Sequence, residues 1–323
     1  MNTHAMLNES GDLAPVLTPA EEKRIAKQLS PGVAWPTLAL AVALPAVQWS
    51  TVGLGIARLL PIWACVPVIA WASFAHYTLV HEAVHGNLTP GHSKLRWLNP
   101  VVGWIGAIGL TFPWPLMNRS HLLHHTHTNT DQDPDIVVKG SLGQLLVKWL
   151  VNDWVLSLIP LIVFKYLAPA DYRKVTAPLT GSEATQISAF QVAVLGVLAL
   201  FCATGHALDW FWLIYAPPRL GSLWLTIFFQ WLPHHPLDRT ERYRNTRISL
   251  WPGAGALTMQ QNLHLMHHLW PSVPFYNYGR LYRRLRPTLV AKGSRIEGLM
   301  VGRYAQDKAG IGAGSPPRPA GSR

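Results

Sequence analysis

Charged residues are scarce in this chain. Asp, Glu, Lys and Arg make up only 13% of its 323 residues, whereas a typical soluble domain carries about 25%. Together with a hydrophobic fraction of 49% and a mean hydropathy of +0.16, this argues for a membrane protein rather than a soluble globule. Acidic residues are the scarcer sign, 16 against 27 basic, leaving a formal charge of +11. Such an excess can mark a nucleic-acid binder. Here, however, more than half of the Lys and Arg lie from Arg239 onward, and few sit between the apolar runs. Multi-pass membrane proteins whose basic segments face the cytoplasm and anionic lipid have this distribution, so no nucleic-acid partner is expected. Cysteine is nearly absent. Cys65 and Cys202 lie in apolar stretches, where buried small hydrophobes are expected, and they form neither a CxxC pair nor a disulfide framework. Two cysteines also cannot hold a four-cysteine iron–sulfur cluster. Residues 1–30 are polar, so no cleavable leader is expected.

What the chain does have is apolar runs near the length that crosses a bilayer, about 20 residues. Residues 32–47 and 59–80 are joined by a short connection carrying only Arg58, and they read as a hairpin. Residues 187–204 and 210–232 read as a second hairpin, with Pro217-Pro218-Arg219 predicting a kink in the latter. The runs 97–113 and 145–167 are short, or broken by Lys148, Asn152, Asp153 and Pro160. Because charge at mid-bilayer is costly, both are expected to lie in the interface or to re-enter. Three regions result: a polar segment 1–31, a membrane domain 32–290, and a basic, partly disordered tail 291–323. The fold class expected is all-α integral membrane, with about four transmembrane helices in two hairpins.

Histidine is abundant, with 15 residues that are grouped rather than scattered. His81 and His85 are spaced i, i+4; His121, His124 and His125 spell HxxHH; His264, His267 and His268 spell it again. Residues three and four apart share a helix face, so each box aims its imidazoles at one point. Alone, His81-Glu82-Ala83-Val84-His85 matches a zinc-protease motif. Eight imidazoles exceed the three protein ligands of a catalytic zinc. They suit two metals, and imidazole-rich sites with open positions suit iron that activates O2. If each hairpin crosses twice, all three boxes meet on the cytoplasmic side as one cap. His234, in Leu232-Pro233-His234-His235-Pro236, enters at the same level as a candidate ninth ligand, ahead of His235. His76 and His127 read as neighbours of the ligands or core residues, and His92 and His206 as loop or interface residues. Glu82, Asp131, Asp133 and Asp135 are carboxylates near the boxes, able to hold the outer nitrogens of bound imidazoles. The run 131–135 reads equally well as a solvated loop. The many tryptophans, among them Trp63, Trp71, Trp104, Trp114, Trp224 and Trp231, read first as interfacial belts and second as the lining of a polyene channel.

The three boxes in order resemble the membrane fatty-acid desaturase and hydroxylase superfamily, over roughly residues 32–290. Trp231-Leu232-Pro233-His234-His235-Pro236 resembles the Leu-Pro-His-x-Pro element of β-carotene hydroxylases and ketolases, and the stretch from Asn262 to Tyr278 closely resembles the third box of cyanobacterial-type β-carotene hydroxylases. The resemblance implies a non-haem di-iron centre held by the box histidines, with Asn262 beside them and O2 as co-substrate. It also implies an apolar carotenoid or acyl substrate drawn from the bilayer and an external ferredoxin-like or cytochrome-like electron donor. The location it implies is a bacterial inner membrane with the boxes toward the cytoplasm. One departure stands out: those hydroxylases carry another histidine soon after the first box, and here Gly86-Asn87-Leu88 follows. The expected reaction is β-carotene ring hydroxylation. The alternatives are acyl-lipid or acyl-CoA desaturation, then carotenoid ketolation, and, remotely, an intramembrane zinc protease or a non-catalytic metal or haem carrier.

Overall fold

A computed structural model of the chain describes residues 16–135, 139–155, 179–236 and 238–299. The first element, α1 (Pro19–Gln28), starts where its sequence directs. Thr18 accepts from the Glu21 amide and Glu21 reaches back to Thr18, a capping box with proline at the first helical position.

Two long apolar helices follow, α2 (Trp35–Ile56) and α3 (Ile62–Val84), packed on each other. The Ala34 amide donates to the Leu88 carbonyl, so the start of α2 and the end of α3 lie together. Their connecting turn, at Arg58, lies at the opposite end.

The expected re-entrant run is α4 (Leu98–Leu110), which bends by 104° into α5 (Trp114–His127). The start of α4 is tied to the end of α3, because Asn99 Oδ1 accepts from the Leu88 amide at 3.2 Å. Its far end lies beside Gln48 and His76, well within the helices. There the last carbonyls need partners, since lipid offers none. Gln48 donates to Gly109 at 3.0 Å, and Arg219 donates to Leu110 at 3.3 Å and to the Thr111 hydroxyl at 2.7 Å. A cation is also well placed against the negative end of a helix. The close approach requires Gly109, where a Cβ would stand 2.4 Å from the His76 ring.

The helix α6 (Leu142–Trp149) runs on as a π-helical segment, Leu150–Val155. The rest of the 145–167 run lies outside the described residues, as do the expected disordered parts of both termini. Helix α7 (Gly181–Ala203) is apolar, and Ile187 is the residue it buries among the described ones. Its face suits hydrocarbon. Cys202 is exposed there rather than buried as expected, because α7 presents most of its surface outward; Cys65 is buried.

The last long element, α8, joins five pieces: Ala207–Asp209, π-helical Trp210–Tyr215, Ala216–Leu225, π-helical Thr226–Trp231 and Leu232–His234. Pro217 and Pro218 fall in the first turn after a π segment, where a missing amide costs least, so the chain stays helical across them. At one end of α8, Asp209 holds Arg58 through two bonds of 2.7 and 3.0 Å; at the other, His234 reaches the box histidines. Helices α2, α3 and α7 are long and apolar enough to cross a membrane, and the bent pair α4–α5 qualifies as a fourth by length and composition.

After α8 come β1 (Arg247–Ser249), α9 (Ala254–Leu257), α10 (His264–Leu269), α11 (Tyr278–Ala291) and β2 (Arg295–Glu297). The parallel pairing of β1 with β2, Ile248 opposite Ile296, is a departure from the expected all-α class. It lies partly in the segment expected as tail. A second apolar core, with Ile248, Leu265, Met266, Tyr278, Leu281 and Ile296 buried, packs α10 and α11 against this pair.

Candidate metal centre

Each histidine box sits where a helix ends. His81 is on the last turn of α3 and His85 just follows it; His121, His124 and His125 end α5; His264, His267 and His268 fill the short α10; His234 ends α8. Four helix ends thus converge, and the nine imidazoles come together. One group holds His81, His85, His121 and His267, a second His124, His234, His264 and His268, with His125 between them.

All nine rings point Nε2 inward. Within the first group the Nε2 atoms of His81 and His267 are 3.0 Å apart and those of His85 and His121 are 2.9 Å apart. Within the second, His234–His264 is 3.0 Å, His264–His268 3.1 Å and His124–His268 3.3 Å. Nitrogen donors about 2.1 Å from one ion stand roughly 3.0–3.4 Å from each other. His125 Nε2 lies 3.2 Å from His121 and 2.6 Å from His267, and its ring stacks on His268.

The outer nitrogens explain why the inner ones carry lone pairs. His124 Nδ1 faces Asp133 at 2.9 and 3.1 Å, and His234 Nδ1 faces the Asn129 carbonyl oxygen at 3.1 Å. His267 Nδ1 faces the Tyr278 hydroxyl at 3.2 Å, and His121 Nδ1 the Tyr77 hydroxyl at 3.4 Å. A proton held on Nδ1 leaves Nε2 as a bare donor. Burial, reinforced by neighbouring histidines, holds His264, His267 and His268 well below the ordinary imidazole range, so they stay neutral. Burial, then Glu82, pushes the Tyr278 phenol well above its usual value, so it stays protonated. Lone pairs aimed at one another without a cation would repel. The donor set therefore fits two imidazole-bound metals.

The carboxylates differ from expectation in detail. Asp131 is exposed, while Asp133, two residues on, is fully buried against His124. Asp133 also accepts from the amides of Asn129 and Asp135, so the turn after α5 is wrapped around it. Asp135 stands 3.6 Å from His124 Nδ1. Glu82 is buried, accepts from the Phe275 amide at 3.1 Å, and lies 3.8 Å from His81 Nδ1. Its position braces the loop after α10 rather than poising a water, which removes the base a zinc protease needs. Asn262 touches no imidazole; it donates to the Ser249 carbonyl and so ties α10 to β1. His76 donates toward Ala72, His206 pairs with Asp209, His235 lies against Trp231, and His92 is exposed. Of these, none joins either group. Asn129 and Tyr278 escape sequence reasoning because no periodicity ties them to the boxes, whereas Tyr77, four residues before His81 on the same helix face, carries a spacing that could have found it.

On the helix side of both groups lies an aromatic floor. The Phe229 ring is 4.7 Å from His264, 5.3 Å from His81 and 4.7 Å from Tyr77.

The chain matches the family model described as fatty acid desaturase over residues 57–297. A β-carotene ketolase of Paracoccus sp. (strain PC1) is 25% identical over 230 residues, covering 67% of this chain and 77% of the relative. A second β-carotene ketolase, from Paracoccus sp. (strain N81106 / MBIC 01143), is 27% identical over 64% of this chain and 74% of its own. The sn-1 acyl-lipid omega-3 desaturase (ferredoxin) of Nostoc sp. (strain 36) is 22% identical over 70% of this chain and 67% of its own. With three quarters of its length matched, histidine boxes convergent and apolar helices leading to them, the chain is an oxidoreductase that belongs to the fatty acid desaturase family.

Proposed function

We propose that this protein is an O2-dependent membrane oxygenase that hydroxylates a ring carbon of β-carotene or a closely similar carotenoid. The observation that carries the reading is the pair of all-imidazole groups at the ends of apolar helices. Two iron ions, held by the nine histidines, would supply O2 activation at that place. In the overall reaction a C–H bond becomes C–OH, one O2 is consumed, and two electrons and two protons leave one water. An external ferredoxin-like or cytochrome-like donor supplies the electrons.

The protein's own residues do the rest. Asp133, Asn129 and Tyr278 fix ring orientation and keep protons on Nδ1. Phe229 and Tyr77 form the apolar floor against which the reacting carbon lies, keeping bulk water from the imidazole groups. Placement over that floor selects the carbon attacked. Helices α2, α3, α7 and α8 serve as four spans in two hairpins: α2 and α7 leave the site end, and α3 and α8 return to it. The site faces the cytoplasm of a bacterial inner membrane.

The ketolase relatives support a carotenoid substrate, since a ring ketone also begins with oxygen insertion at a ring C–H. The omega-3 desaturase relative favours a second reading, removal of two hydrogens from an acyl chain. Expression in a β-carotene-accumulating bacterium, followed by chromatography of pigments and fatty acids, separates them. Hydroxylated β-carotene is the expected product. A ketone as the first and only product would move the reading to ketolation, and unchanged pigment beside new acyl double bonds would overturn it.

A further inference from the structure

The two imidazole groups are fastened differently. His81, His85, His121 and His267 hang from α3, α5 and α10, with Tyr77, Glu82 and Tyr278 behind them. The second group leans on the small β pair. Asn129, which holds His234 Nδ1, donates through Nδ2 to the carbonyls of Asn245 and Arg239, each at 2.6 Å. Asn262, two residues before His264, donates to Ser249 of β1 at 2.9 Å. Arg295 of β2 donates to the carbonyl of His235, next to His234, at 3.2 Å.

Beyond backbone pairing and the shared apolar core of Ile248 and Ile296, a buried carboxylate joins β1 to β2. Glu297 accepts from Arg247 Nη1 at 2.7 Å and from Arg295 Nε at 3.3 Å, while its own carbonyl accepts from the Leu250 amide. Arg247 and Glu297 are 1% and 2% exposed. Among the described residues, Arg247 Nε and Nη2 have no hydrogen-bond partner. Glu297 is the carboxylate hydrogen-bonded to this buried guanidinium, Asp238 adding a negative charge without a hydrogen bond, and removing one member of such a pair is strongly destabilising.

We propose that Glu297 is a positioning residue for the metal held by His124, His234, His264 and His268, acting by clamping Arg247 and Arg295 across the strand pair. The inference rests on the reading of the two groups as metal sites. Glu297→Gln keeps the shape of the side chain but takes from two facing arginines the carboxylate that both bond. The strands part, and with them the ties to His234 and His264. In the other group only His267, carried on α10, connects to the strand pair, and His81, His85 and His121 keep their places on α3 and α5.

The test is iron uptake by the full chain, purified in detergent and loaded anaerobically with ferrous iron. The unsubstituted protein is expected to take up two irons, and Glu297→Gln only one, with its helical circular dichroism unchanged. Adding His85→Ala to Glu297→Gln should remove the remaining iron, whereas adding His264→Ala should remove nothing further. Arg295→Ala, which spares the buried Arg247–Glu297 pair, should weaken one of the two irons about 10- to 100-fold. Two irons retained in Glu297→Gln, both lost together, or both affinities unchanged in Arg295→Ala would overturn the clamp. An unsubstituted chain that takes up no iron would instead overturn the metal reading on which it rests.

Discussion

At the scale of single residues, the chemistry is a matter of which nitrogen carries the proton. Nine rings present Nε2 inward, and for His121, His124, His234 and His267 the group behind Nδ1 sets the tautomer. Asp133 is the strongest such partner, with both carboxylate oxygens on His124 Nδ1. Asp133→Asn is expected to weaken metal retention about 10- to 100-fold, read by chelator competition, while leaving the helix content intact. Glu82 provides the contrast. Lying between His81 and His85 in sequence, it spends one oxygen on the Phe275 amide, a role an amide oxygen can also fill. Glu82→Gln should therefore be far milder than His85→Ala in both iron content and turnover; equal losses would show that Glu82 acts on the reaction directly. The spacing of the boxes made eight of the nine rings legible, and the Leu-Pro-His element added His234. The sequence offered Asp133 beside Asp131 and Asp135 but did not single it out. Whether residue 131, 133 or 135 faces His124 depends on the turn at Asn129, whose φ is +62°, and alternation along a sequence does not encode that.

At the scale of elements, the site depends on segments too short or too irregular to announce themselves by length. Helix α4 descends, bends and returns as α5, delivering the second box beside the first. That path is possible because Gln48 and Arg219 satisfy the carbonyls released at the bend. Gly109→Ala places a methyl 2.4 Å from the His76 ring, so the helices must separate. We expect a destabilisation of about 1–3 kcal/mol, measured as a lowered unfolding transition in detergent. Helix α8 is similarly hidden: its prolines predict a kink, yet the π segments on either side let it continue to His234. Such π segments often accompany functional sites. Phe229, carried on the second of them, touches rings of both groups. Phe229→Ala is expected to leave iron content unchanged but to alter the distribution of oxidised products, read by chromatography; an unchanged distribution would remove Phe229 from substrate placement.

At the scale of the whole molecule, the second core built on α10, α11 and the β pair buries the centre from the aqueous side, and the long helices carry it on the other. Burial from both sides is what keeps His264, His267 and His268 neutral. With folded-state values below the ordinary imidazole value of about 6.5, His264, His267 and His268 bind protons more readily in the unfolded chain than in the folded one. Stability and metal affinity are therefore full above about pH 6.5 and fall as the pH drops through it. Iron retained at about pH 7.5 should be lost progressively toward about pH 5.5, together with a lower unfolding temperature. Retention independent of pH over that range would mean the rings are not the ligands.

By itself the sequence determined that this is a membrane protein with apolar runs leading to clustered histidines, because composition and i, i+3, i+4 spacing are local properties of a chain. It also determined the superfamily, since three boxes in order are written in consecutive residues. The tertiary structure alone decided how the nine rings divide into two groups, that Asp133 rather than Asp131 holds His124, and that Asn262 ties α10 to β1 instead of touching an imidazole. Those outcomes depend on where helix ends meet and which way side chains turn there. Contacts between residues up to 186 positions apart, as for His81 and His267, set that geometry, and no local pattern carries it.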